Sequence, residues 1–142
     1  MRPAFCAGAF RWATGFAAGV MLFFTIGVAL PLFRILERAV AGAITTQLFP
    51  GYYIFIIAPL LIAIVSLFPI LSKNKRNRIA LVLVLVSLAG VLIIAHVLSP
   101  LLLQYNTPET IATFKKLHGV SMSLNLVCML TTLAAPFFVR EK

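Results

Sequence analysis

The sequence predicts an all-α integral membrane protein, a four-helix bundle running up-down-up-down with both termini in the cytoplasm. Three observations carry this. First, of 142 residues 62% are hydrophobic and only 11% charged, with a mean hydropathy of +1.09, whereas a soluble domain is about half apolar and about a quarter charged. A chain this short leaves much of its surface outside any core, so the apolar excess needs a bilayer as its solvent. Second, four stretches reach the roughly 20 apolar residues a spanning helix requires: residues 12–32, 52–71, 79–103 and 117–139. Third, the cations are unevenly placed. In a zigzag chain one side holds Arg2, Arg11, Lys73, Lys75, Arg76, Arg78, Arg140 and Lys142, and the other only Arg34, Arg38, Lys115 and Lys116. The richer side is the cytoplasmic one. The loops left over are short, so residues 1–142 read as a single transmembrane domain.

The first span follows Arg2 and Arg11 as a secretory signal would, but its apolar run is longer than a signal core and no small-residue cleavage site follows; it reads as a retained helix. No small-residue run precedes Cys6 to suggest lipidation. Gly15 and Gly19 form a GxxxG pair with Gly27 further on, and small residues four apart let membrane helices approach closely. Packing inside the bundle is the first expectation for these glycines, and homodimerisation through helix 1 the second. After this span, residues 33–49 read as an amphipathic extension at the outer surface in which Arg34 and Glu37 are i,i+3 neighbours able to pair. Pro50-Gly51 then breaks the chain before the second span.

The second span contains Pro59, Pro69 and little that is polar, and reads as a kinked, lipid-facing packing helix. The Lys73–Arg78 segment (KNKRNR) follows. Lys73, Lys75, Arg76 and Arg78 form a topology anchor that also meets anionic headgroups. With no domain to present the charge, the net +9 does not point to nucleic acid. Trp12 is expected at the inner interface, and Tyr52, Tyr53 and Tyr105 at the outer one.

The third span carries the one deep ionisable group, His96, about 12 Å below the outer end of its helix at 1.5 Å per residue. Such groups generally face the bundle interior or a cavity, and Pro100 removes the donor that would satisfy the His96 carbonyl. The fourth span carries a polar stripe. His118, Ser121, Asn125, Cys128 and Thr132 follow the spacing that shares one helical face, and should point inward as hydrogen-bonding glue or as the wall of an outward-opening cavity. Antiparallel neighbours bring His96 and His118 within reach of each other if both face inward, which suits a metal or haem iron. Cys6 and Cys128 lie at different levels and are expected to be free thiols.

Several segments resemble a known family. FFTIGVALPLFRIL, LFPGYY and FKKLHGVSMSLNLV look like the transmembrane-protein-205-like family, a domain of unknown function built from about four helices, and the resemblance extends over roughly residues 10–136. It implies a multi-pass membrane protein, with a hint of transport or trafficking. A more distant similarity is to copper-resistance and haem-binding membrane proteins of the CopD type, in which His118 would fill a ligand role; the histidine such a protein has early in helix 1 is replaced here by Phe10-Arg11-Trp12.

No HExxH motif, carboxylate pair, Walker loop or Ser-His-Asp set is present, so a non-enzymatic protein without a cofactor is expected. Small-solute or metal-ion transport or handling is the leading reading. The alternatives are a redox protein holding haem b or a metal through His96 and His118, and a structural or accessory membrane subunit. Brevity and the lack of an outer glycosylation signal lead us to expect a bacterial inner membrane.

Overall fold

The computed structural model describes residues 3–140, without the side chains of Ser72, Lys73 and Pro108. Four helices long and apolar enough to cross a bilayer account for nearly all of it: α1 (Pro3–Ile35), α2 (Arg38–Leu71), α3 (Lys75–Gln104) and α4 (Ile111–Phe138). Among the described residues there is no strand. At 1.5 Å per residue the helices are roughly 40–50 Å long, more than a hydrocarbon core of about 30 Å, so each tilts or projects into the headgroups.

Each helix packs on its neighbours in chain order, and α4 closes the ring on α1. The most extensive contact is α1 on α2. Its α1 face is made of small residues, with Ala7, Ala13 and Ala17 wholly buried beside Phe10 and Met21, against Ile56, Leu60, Ala63 and Leu67 of α2. Short side chains let the two backbones close on each other, the main source of helix association in lipid.

All four helices begin before the spans the sequence suggests, α1 and α2 by the most. The first helix begins at Pro3, which places Cys6 in the core rather than in a leader. The second begins at Arg38 and passes through Pro50-Gly51 without a turn; no glycine among the described residues has a positive φ. A broken backbone in hydrocarbon leaves polar groups unsatisfied, so the helix continues through a proline that would end it in water. The real break is at Leu36, which is extended at φ −107° and ψ 157°. It falls between Arg34 and Glu37 and removes the helical register that would have paired them.

The other prolines act locally. Pro31 and Pro100 each follow a π-helical turn, at Phe24–Ala29 and Ile94–Leu98. In these turns Leu30 N–H reaches back to Thr25 O, and Ser99 N–H to Ile94 O. A proline ring crowds the preceding carbonyls and offers no donor, and a widened turn accommodates both. Pro69, Pro108 and Pro136 instead lie in tight 3₁₀ turns at helix ends. Before α4, Thr110 Oγ1 donates to Tyr105 O at 2.6 Å, and the exposed Glu109 carboxyl is held below the usual carboxylate range by its own backbone N–H and by Thr107.

The termini and the α2–α3 turn meet at one end of the bundle. Asn77, fully buried, donates through Nδ2 to Ile70 O at 2.7 Å and to Arg140 O at 3.1 Å, and its Oδ1 accepts from Arg140 N–H at 2.8 Å. Arg11 Nη2 donates to Val139 O at 3.2 Å, and the Arg76 guanidinium lies 5.8 Å over the Phe138 ring. Asn74 caps α3 by accepting from Arg76 N–H at 2.9 Å. The first turn it caps carries Lys75, Arg76 and Arg78 and no acid, the unfavourable sign for the positive end of a helix dipole.

Candidate functional site

The polar stripe of α4 is graded. Cys128 and Thr132 are wholly buried, Ser121 and Asn125 half-buried, and His118 exposed. The buried part is a closed hydrogen-bonded seam with α3. Ser87 Oγ lies 2.6 Å from Thr132 Oγ1 and 3.2 Å from Cys128 O, and Thr132 Oγ1 also donates to Cys128 O at 2.8 Å. One turn along α3, Gly90 brings the helices together: a Cβ there would collide with Cys128 Sγ and stand 3.3 Å from Leu124 Cδ1. Ser87→Ala or Thr132→Val is expected to destabilise the protein by about 1 kcal/mol, the net worth of one buried hydrogen bond, measured by denaturant unfolding in detergent. The double variant should cost less than the two added together, because both remove one bond.

Across the diagonal of the bundle, Tyr52 Oη donates to Asn125 Oδ1 at 3.2 Å. The neighbouring Tyr53 Oη lies 2.8 Å from Ser99 Oγ of α3. Both rings join Phe24 and Phe49 in one aromatic cluster, with Phe24 and Tyr52 centroids 4.3 Å apart. Tyr52 is 8% exposed, so it belongs to the interior rather than to the outer interface. Because α2 starts at Arg38, Tyr52 lies about 21 Å along the helix at 1.5 Å per residue. The helix read as bare of chemistry thus supplies the contact that spans the bundle.

The histidines are placed differently from the expectation that both face inward. In the π-helical turn Ile94 and Leu98 are buried while His96 is exposed. His118 is exposed and stacks on Phe114, with ring centroids 5.8 Å apart and planes 5° from parallel. The Ser87–Thr132 and Gly90–Cys128 contacts set the antiparallel register. In it His118 stands level with residue 100, about 6 Å along the axis from His96. Two outward imidazoles do not fit a haem held inside the bundle. Among the described residues, no group of three His, Cys, Asp or Glu side chains is placed to hold a metal ion. Cys6 and Cys128 are both free and buried.

The helix 1 glycines also face outward. Gly15 and Gly19 are exposed with nothing within 4 Å of where a Cβ would stand, and Gly27 is covered only by the Phe23 ring of its own helix. The close packing expected of them is done by the alanines on the opposite side of α1. Gly19 and Gly51 floor an apolar groove of about 560 Å³ between α1 and α2, walled by Phe16, Phe23, Leu48 and Phe55. Of the topology anchor, Lys75, Arg76 and Arg78 are exposed, while the side chain of Lys73 lies outside the described part, as do Arg2 and Lys142. Gly90, Ser87 and Tyr52 were not singled out by sequence reasoning as site residues. A lone glycine opposite a small polar residue in an antiparallel register was the signal available for the first two.

Four apolar helices, closed by buried side-chain hydrogen bonds and carrying their charges at the ends, define a multi-pass integral membrane protein. The chain belongs to the family described as "Domain of unknown function (DUF4149)", whose match covers residues 12–109, from α1 to the turn before α4. An "Uncharacterized protein" of Aquifex aeolicus (strain VF5) is 34% identical over 120 residues, 83% of this chain and 84% of that protein. No solved structure matches.

Proposed function

We propose that the chain is a non-enzymatic subunit of a bacterial inner-membrane assembly, one that works by packing laterally against other membrane helices. A second copy, docked through the outer face of α1, is the first partner. The observation that carries this reading is the contrast between the two faces of α1. Its alanine face is closed against α2, while Gly15 and Gly19 leave open space above the backbone. In lipid, small residues on an outer face favour close approach by another helix. Ser87, Thr132, Asn125 and Tyr52 are already committed to one another or to backbone, which suits a rigid scaffold better than a conduit.

The test is oxidative cross-linking in native membranes. Gly15→Cys and Gly19→Cys should give a disulfide-linked dimer, because a side chain fits at either position without strain in the single chain. Val82→Cys, on an exposed face of α3, should not. Cross-linking equal at all three positions, or at none with no partner co-purifying, would sink the proposal.

Small-solute or metal-ion handling is the second reading, favoured by the Tyr52–Asn125 bond across the bundle and by the resemblance to the transmembrane-protein-205-like family. It requires Asn125→Leu to abolish function while the fold and any partners remain. The scaffold reading requires Asn125→Leu to be tolerated.

A further inference from the structure

The basic end of the bundle is built from three separate parts of the chain. Asn77 grips the backbone of Arg140 on both its N–H and C=O, which fixes the C-terminal segment beside the first turn of α3, where Lys75, Arg76 and Arg78 are exposed. Arg76 reaches over Phe138 of that same segment, and Arg11 of α1 holds Val139 O. Among the described residues both acids, Glu37 and Glu109, lie at the other end. Exposed aromatic rings border it: Phe68 on one tight turn, Phe137 on another, and Trp12 beside Arg11. Cations above apolar rings match the profile of a phospholipid, with its phosphate above and its chains below. An acidic soluble protein would leave those rings uncovered.

From this convergence we infer that the rim is a binding site for an anionic phospholipid headgroup. Its headgroup lies across the exposed cations Arg76, Arg78 and Arg140, and its chains lie against Phe137 and Phe68. The Asn77 clamp makes Arg140 part of the site by holding its backbone in place.

Trp12 is the only tryptophan and reports on this end. The experiment reconstitutes the purified full chain in phosphatidylcholine vesicles containing a minor share of brominated phosphatidylglycerol or, in parallel, brominated phosphatidylcholine. Quenching of Trp12 then gives the relative association of the two lipids. A single cation near an anionic surface is worth a factor of about five, so phosphatidylglycerol should be preferred at least about fivefold. Raised salt should weaken that preference. It should fall to near unity in Arg76→Gln/Arg78→Gln/Arg140→Gln, whose side chains are exposed and whose removal leaves the core intact. Lys115→Gln/Lys116→Gln, at the far end, should leave it unchanged. Equal quenching by the two lipids overturns the site, whether or not the rim retains an acidic peptide instead. Survival of the preference in the triple variant, or an equal loss in the far-end variant, overturns it as well.

Discussion

Gly90→Ala is expected to destabilise the protein by about 1–3 kcal/mol, the range for forcing a group into a packed core, and Gly90→Leu by more. The cause is local. Gly90 faces Cys128 across the α3–α4 contact, and the space a Cβ needs is taken by a sulfur that is itself wholly buried. Leu124 closes the site on the other side, so a Cβ is accommodated only if these side chains rotate within a packed contact or the helices separate. Separating the helices by even a fraction of an ångström would also lengthen the Ser87–Thr132 bond, which lies one turn away at 2.6 Å. The same substitution in a Cys128→Ala background, where the sulfur is gone, should cost much less. That gives a coupling of about 1 kcal/mol or more between the two positions, as contacting residues show. Unfolding in detergent, followed by far-UV circular dichroism, measures all three variants. A Gly90→Ala cost unchanged by removal of the sulfur would mean that the close approach is not what glycine provides here.

The four spans were legible because water and lipid differ so much as solvents that composition alone separates them. Within the spans that contrast is gone, and this is where reading the sequence fails. In water, an apolar face marks the core. In lipid, Ala13 and Ala17 on one side of α1 and Gly15 and Gly19 on the other are equally suited to either environment, and the face that packs on α2 is decided by shape. The polar stripe on α4 was legible for the opposite reason: Cys128 and Thr132 stand out against hydrocarbon and must find partners. The partners themselves were not. Ser87 and Gly90 sit in the uncharged apolar run 79–95, where a small residue carries no mark of which helix it meets. His96 lies two residues from each of the buried Ile94 and Leu98, which on a helix places it on the opposite, outward face. Tyr52 was misplaced through its neighbours: Pro50-Gly51 is a turn signal in water and an uninterrupted helix here.

At the basic end, Asn77→Leu is expected to cost about 3 kcal/mol, because three hydrogen bonds disappear and each is worth about 1 kcal/mol net. The number matters less than the geometry. One side chain holds the last turn of α2, through Ile70 O, and the segment after α4, through both backbone groups of Arg140. Its loss should therefore free the C-terminal segment before the bundle unfolds, seen as faster tryptic cleavage after Arg140 under native conditions. Asn77→Asp separates the donors from the acceptor: a carboxylate still accepts from Arg140 N–H but repels Ile70 O and Arg140 O, and buries a charge. It should be no more stable than the leucine variant. Arg140→Gln provides the contrast, since it leaves every clamp bond in place and should keep stability within about 0.5 kcal/mol, as exposed surface changes do, while lowering the lipid preference read at Trp12. If the headgroup site depends on the clamp, Asn77→Leu lowers both stability and lipid preference, and Arg140→Gln lowers the second alone. Asn77→Leu with full lipid preference would show that the cations act as independent surface charges, not as a site held together by Asn77.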